Sequence, residues 1–204
     1  MPDQDAVIAV TCESPNMQGE INLLWEYLLP AIKTDKMPGN SALLSILKQK
    51  LSALALPLPA PGEGSAVISH ISGKTFALGP NDHHLETISF GFTDKTCNVT
   101  LVINSVRYNF SLGSGQWLNG ETTLPGPNLL LLAKAHFASL PPPKVAGSYG
   151  WKDEKTLEMV LRYIESPHTE TIICRFDDNR VSVNFHYSNE PNINQPELKG
   201  IVKE

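Results

Sequence analysis

Two hydrophobic periods divide the chain, and the change between them occurs at a stretch rich in proline and glycine. Before about residue 54, apolar residues recur at helical spacing, whereas beyond residue 65 they alternate with polar residues, as in half-buried strands. The stretch between them, Leu-Pro-Leu-Pro-Ala-Pro-Gly-Glu-Gly at residues 56–64, is typical of an extended linker. We therefore predict a strand and helix in residues 1–33, a helix and linker in residues 34–64, and an antiparallel β-barrel or sandwich in residues 65–204.

The first part begins with a short apolar run and continues as an amphipathic helix. Residues 5–11, Asp-Ala-Val-Ile-Ala-Val-Thr, have the pattern of a strand covered on both faces. Ser14-Pro15 is typical of a helix start, and Pro30 ends the helix. Its apolar face consists of Met17, Ile21, Leu24, Trp25 and Leu28. A second, weaker helix is predicted over residues 40–54.

The last part is predicted to contain short strands separated by tight turns. They are expected at residues 66–78, 85–93, 97–103, 105–112, 116–124, 145–151, 156–164, 170–176, 179–187 and 197–202. Residues 129–135 fit either a strand or a short helix across a barrel mouth. This spacing predicts a mainly β fold, an antiparallel up-and-down, lipocalin-like barrel preceded by a strand and one or two α-helices.

Aromatic residues on the predicted strands have two possible roles. They are Trp117, Tyr149, Trp151, Tyr163 and Phe185. Inward-facing aromatic rings usually fill a small barrel. In a wider barrel the same residues would line a cavity for a small apolar ligand, as in lipocalins. The sequence leaves both roles open.

Charge and cysteine usage exclude several classes of function. The net charge is −5 and the pI is about 5.7, without a basic cluster, which argues against nucleic acid or an anionic membrane surface as a partner. Cys12, Cys97 and Cys174 form no CxxC pair, so neither a zinc knuckle nor a redox pair is expected. The apolar run at residues 6–10 is too short for a signal peptide or a membrane span. As written, we expect a soluble, non-exported chain without a cofactor.

One short cluster resembles a metal site in composition. Asp82-His83-His84 follows the turn-forming Pro80-Asn81. Neighbouring histidines on a strand point to opposite faces, so both bind one ion only where a turn brings them together. We interpret the cluster as a solvated turn and predict no metal site.

The N-terminal residues resemble part of a known family. Residues 1–32, MPDQDAVIAVTCESPNMQGEINLLWEYLLPAI, are similar to the end of the catalytic domain in serine hydrolases of the class C β-lactamase type. In that family a late strand of the central sheet leads into a C-terminal helix that packs on the sheet. Gly115-Gln116-Trp117 and residues 169–176 resemble the β domain appended to some members. The resemblance implies a non-catalytic accessory domain that packs on, or shapes access to, a hydrolase catalytic domain in the same or a separate chain.

The family's catalytic motifs have no usable counterpart in this sequence. Ser45 and Lys48 spell Ser-x-x-Lys, and Tyr187 and Asn189 spell Tyr-x-Asn, but their order and position differ from the family's. Lys74-Thr75 precedes Phe76 where the family requires glycine. We therefore predict a non-enzyme, with a minimal hydrolase using Ser45 and Lys48 as the least favoured alternative. Without a catalytic domain to cover it, the apolar helix face is expected to pack on the β domain or to mediate self-association.

Overall fold

The helical and the alternating parts of the chain form separate units, which divide between Pro57 and Leu58. The structure is a computed structural model that describes residues 1, 5–14, 16–33, 39–60, 62, 66–126, 141–193 and 195–203. Residues 129–135 lie outside this set, so the choice between strand and helix there stays a prediction. None of the described helices is both long enough and apolar enough to cross a membrane.

Short helices with exposed side chains make up the first unit. Helix α1 (Met17–Leu23) continues into a π-helical turn (Leu24–Leu28) and a 3₁₀ turn (Leu29–Ala31), and α2 spans Ser41–Ser52. Asn16 Oδ1 accepts a hydrogen bond from the Gly19 amide at 2.9 Å, and Asn40 caps α2 in the same way. Both predicted helices are confirmed. The first begins after Asn16 because that side chain, and not Ser14, caps the first turn.

The strand predicted at residues 5–11 is wrong. Residues 6–11 have no strand structure, and Val7 and Val10 are 94% and 56% exposed. A β-branched run becomes a strand only where another strand pairs with it and packing covers its side chains. No strand in the described residues pairs with this segment.

The second unit is mainly β, as predicted, and its sheet closes into a barrel. In the described residues the strands are β1 (Thr75–Leu78), β2 (Leu85–Phe92), β3 (Thr96–Ile103), β4 (Val106–Ser114), β5 (Leu118–Glu121), β6 (Lys144–Asp153), β7 (Thr156–Tyr163), β8 (Thr169–Asp177), β9 (Arg180–Tyr187) and β10 (Leu198–Val202). Antiparallel neighbours run in the order β4-β3-β2-β1-β10-β9-β8-β7-β6, and a parallel contact between β4 and β6 joins the two ends. The described part of the chain thus forms a closed ring of nine strands.

The closing contact is short and shares an edge of β6 with β5. Gly113 and Ser114 of β4 lie opposite Ser148 and Tyr149, whereas residues 144–147 of β6 pair with β5. The buried Ser148 Oγ donates a hydrogen bond to the Gly113 carbonyl at 3.0 Å. Backbone pairing and this side chain together close the barrel.

The strand predicted at residues 66–78 is confirmed only in its last part. Within residues 66–78, only Thr75–Leu78 form a strand, because Ile68–Ile71 form the helical turn α3. Gly73, with φ at +79°, turns the chain from α3 into β1, a conformation that glycine adopts without strain. Ile71 is buried against the barrel core.

Aromatic rings fill one end of the barrel. Phe76, Phe90 and Phe176 lie with ring centroids 5.3–6.2 Å apart, and Trp151 is 6.2 Å from both Phe92 and Phe176. We call these five residues the aromatic cluster. Contacts at such distances contribute beyond the apolar area that they bury. This end of the interior is therefore packed by side chains.

We expect Gly147→Ala to destabilise the barrel at its closing contact. A Cβ at Gly147 would lie 2.5 Å from the Ser111 carbonyl oxygen and 2.8 Å from Leu112 Cδ2, so the backbone of β4 must shift. Overpacking of this kind costs about 1–3 kcal/mol. Urea unfolding followed by tryptophan fluorescence measures the loss.

Gly120→Ala on β5 is the matched control, because a Cβ there meets no atom within 4 Å. Its expected effect on the free energy of unfolding is within about 0.5 kcal/mol. Equal losses in the two variants would show that the closing contact is not the cause.

Candidate functional site

A cavity of about 260 Å³ occupies the barrel end opposite the aromatic cluster. Along β8 the inward residues are Glu170, Ile172, Cys174 and Phe176, so the cavity residue Glu170 lies about 20 Å from Phe176 at strand rise. The apolar lining consists of Leu85, Leu101, Ile103, Leu124, Phe185 and Tyr187. Most of these side chains are buried, which gives the cavity a largely desolvated wall.

A wider depression lies elsewhere on the barrel surface. It measures about 610 Å³ beside the turn at Pro80. Its border includes Asp82, His84 and Glu86, all of which are exposed. A ligand there would remain largely in contact with water, so the less open cavity beside Glu170 is the better candidate site.

Side-chain hydrogen bonds hold two of the loops that border the cavity. Asn81 Oδ1 accepts from the Leu85 amide at 3.1 Å, while its Nδ2 donates to the Leu85 and Gly79 carbonyls at 2.9 and 2.8 Å. The turn so fixed places the His83 ring 4.9 Å from Phe185, in a stacked arrangement. An asparagine that bonds to nearby backbone groups is a common device for holding a turn.

The second loop follows β5 and is anchored by a buried threonine. Thr122 Oγ1 donates to the Asn109 carbonyl at 3.2 Å and accepts from the Leu124 amide at 3.1 Å. The Thr122 amide also donates to the Pro143 carbonyl at 3.2 Å. These bonds hold Leu124, which is 3% exposed, against the cavity.

Glu170 is a buried carboxyl group in the cavity wall. It is 4% exposed, lies opposite Tyr187 in the sheet, and accepts a hydrogen bond from Tyr163 Oη at 3.0 Å. Burial raises the pKa of Glu170 to about 7, and the hydrogen bond from Tyr163 limits that rise. Burial and the nearby Glu170 carboxyl likewise raise the pKa of Tyr163 and of Tyr187. Glu170 therefore changes charge near neutral pH.

The wall also contains an amide, a second carboxyl group and an imidazole. Asn189 lines the cavity, and its buried Oδ1 has no hydrogen-bond partner among the described residues. Glu190 adds a second carboxyl group, and His83 is the basic side chain in the described lining. No lysine or arginine belongs to that described lining.

The five aromatic residues expected to line a ligand site do not come together. Phe185 lines the cavity, and Tyr163 donates a hydrogen bond to the cavity residue Glu170. Tyr149 and Trp151 contact Phe92 at the aromatic end of the barrel. Trp117 is half-buried, with the guanidinium carbon of Arg162 5.3 Å from its ring centre. A role of these five residues in binding stays a prediction.

The sequence around Glu170 indicated an inward-facing carboxyl group, but a search for aromatic site residues overlooked it. The alternation in residues 170–176 places Glu170 on the same face as Ile172, Cys174 and Phe176. A carboxyl group at an inward strand position is unusual, because burial penalises its charged form. Aromatic residues pack throughout a barrel, so their positions do not distinguish a cavity wall from a filled interior.

The motif residues noted in the sequence lie in unrelated settings. Ser45 and Lys48 are exposed on α2 in the first unit, whereas Tyr187 ends β9 at the cavity. His83 and His84 diverge, since His83 stacks on Phe185 and His84 is exposed. Among the residues that the structure describes, no three potential metal ligands form a group.

Comparison with known proteins finds similarity at the level of structure. No family model and no curated protein matches the chain. The solved structures that resemble it include a fatty-acid-binding protein from brain tissue of Drosophila melanogaster, without citrate inside, with 14% identity and a TM-score of 0.42. They also include the fatty-acid-binding protein isolated from Manduca sexta, with 12% identity and a TM-score of 0.40. Each match covers 66% of this chain and 99% of the other.

The resemblance to class C β-lactamase-type hydrolases is wrong. The strand on which it depended does not form, and the β unit closes on itself as a nine-strand barrel in the described residues. The expectation of a hydrolase catalytic domain as partner is therefore also wrong. Self-association through the apolar face of residues 17–28 was inferred from the same resemblance, which no longer supports it. Within that face, Met17 and Trp25 are 70% and 54% exposed.

We expect Glu170→Gln to remove a pH dependence of stability. Burial raises the pKa of Glu170 from 4.5 to about 7, so the unfolded chain ionises at lower pH than the folded chain. The free energy of unfolding of the wild type should therefore fall as pH rises across that window, by on the order of 3 kcal/mol in total. Urea unfolding should show the variant close to wild type at about pH 4 and clearly more stable at about pH 8.

Glu158→Gln provides the control for this experiment. Glu158 lies on the outer face of β7, 3.4 Å from Lys152 Nζ. Its replacement should leave the wild-type pH profile unchanged. Parallel profiles for wild type and Glu170→Gln would mean that Glu170 is not buried as described.

Proposed function

We propose that the barrel is a binding protein that holds a small apolar molecule in the cavity at its Glu170 end. The observation that carries the proposal is the cavity itself, of about 260 Å³, inside an otherwise packed barrel. Protein interiors are close-packed, and side chains around a void lose dispersion contacts that a bound molecule would restore. A wall of buried leucine and phenylalanine side chains, together with the partly buried Ile103, favours an apolar occupant.

The size of the cavity restricts the occupant. Ligand pockets commonly measure roughly 300–1,000 Å³, and an apolar cavity of about 150 Å³ is sufficient for benzene. A volume of 260 Å³ therefore suits a molecule about the size of an aromatic ring with a short chain. The aromatic cluster prevents extension of the ligand through the barrel, because Phe90 and Phe176 occupy that end.

The thiols in the barrel are buried and protonated, which agrees with binding that involves no covalent bond to the protein. Cys97 and Cys174 are buried free cysteines on β3 and β8. Burial raises the pKa of both thiols, so neither supplies a thiolate nucleophile at neutral pH. We therefore propose reversible binding.

The test is titration with 2-phenylethanol, a neutral molecule of suitable size, followed by two-dimensional amide NMR. We expect saturable shifts at the cavity residues Leu101, Leu124 and Phe185, and little change at Phe76. Leu101→Phe fills part of the cavity and should weaken binding at least about tenfold, because a poorly fitting occupant costs a kcal/mol or more.

Ile201→Phe is the matched control, since Ile201 is 56% exposed on β10. This variant should bind 2-phenylethanol like wild type. Shifts confined to residues outside the cavity, or equal binding by both variants, would contradict the proposed site.

A further inference from the structure

We propose that the molecule bound in the cavity carries a protonated amine, which Glu170 receives as its counter-ion. The inference rests on the proposed binding function and specifies the chemical class of the ligand. It follows from the position of the carboxyl group, the other polar groups in the wall and the balance of charge around the cavity.

The Glu170 carboxyl group retains capacity to accept hydrogen bonds. Tyr163 Oη donates to Oε2 at 3.0 Å, whereas a carboxylate offers about four lone-pair sites on its two oxygens. An ionised carboxylate that is 4% exposed is costly unless an opposite charge or further donors approach it. An ammonium group supplies both a positive charge and three donors.

The rest of the described lining also favours a donor and disfavours an anion. Asn189 has a buried Oδ1 that receives no hydrogen bond within the described residues, and Glu190 contributes a second carboxyl group. The one basic side chain in the described lining, His83, stacks on Phe185. A ligand carboxylate at Glu170 would meet a like charge in a low-dielectric wall, and the two groups would disfavour each other's ionisation.

A ligand hydroxyl group would donate a hydrogen bond to the same acceptors, but it would not form an ion pair with the Glu170 carboxylate. Hydrogen bonds between charged groups are roughly twice as strong as those between neutral ones. The preference for an amine over an alcohol should therefore depend on the ionisation of Glu170, and that dependence distinguishes the two ligand classes.

The pH dependence has a definite sign. Because the pKa of Glu170 is raised to about 7, the carboxyl group ionises as pH rises past neutrality, and amine affinity should increase over that range. Tyr163 on β7 and Tyr187 on β9 remain neutral there, since the pKa of each is raised. The other titratable groups in the described lining are Glu190 and His83.

The first experiment uses calorimetry on the full chain at about pH 8 to compare three ligands that share a 2-phenylethyl group. They are 2-phenylethylamine, 2-phenylethanol and 3-phenylpropanoate, which differ in the head group. We expect the amine to bind about tenfold more tightly than the alcohol and the carboxylate to bind most weakly. Carboxylate binding equal to or tighter than that of the amine would overturn the inference and leave the binding function intact. Binding by none of the three would overturn the proposed function.

The second experiment removes the charge while keeping the shape of the side chain. In Glu170→Gln, the amine should lose its advantage over the alcohol, and alcohol affinity should stay within about threefold of wild type. The rise in amine affinity with pH should also disappear, and a rise that persists would contradict the assignment to Glu170. Glu158→Gln, on the outer face, should behave like wild type. An amine preference that survives in Glu170→Gln would overturn the assignment.

Discussion

Closure of the sheet between β4 and β6 is the constraint on which the β unit depends. Only after Gly113 and Ser148 meet does each strand have one face directed into an enclosed interior. The alternation of apolar and polar residues then separates inside from outside around the whole ring. The close approach is possible because Gly147 has no side chain to collide with the β4 backbone. Burial of the interior groups, Glu170 included, follows from this closure.

The enclosed interior has two ends with different chemistry. Large rings from β1, β2, β6 and β8 fill one end and pack against each other. At the other end, leucine side chains, Phe185 and polar residues leave a space bordered by Glu170 and Tyr187. A single strand, β8, therefore carries a carboxyl group in a cavity at its start and a packed Phe176 near its end. The two-residue period places both on the same face.

Much of the fold was predictable from the sequence because strand alternation reports burial directly. Every predicted strand from residue 85 onward overlaps a strand of the structure, since turn residues such as Asp94 and Asp178 mark the ends. The apolar run at residues 5–11 failed because composition does not specify a pairing partner. The cavity was not predictable in position, because it depends on which inward residues, such as Leu101 and Phe185, face each other across the ring. Glu170 was missed, although its position as an acid in an apolar alternation was a local signal.

The aromatic cluster has a consequence for how molecules would enter and leave. With Phe76, Phe90 and Phe176 packed behind it, the cavity is a blind chamber and not a channel. Among the described residues, this packing would leave a second molecule no route to displace the first from the aromatic end. Exchange in such a chamber proceeds by departure followed by replacement, so the lifetime of the complex is set by the occupant's own escape and not by the concentration of its competitors.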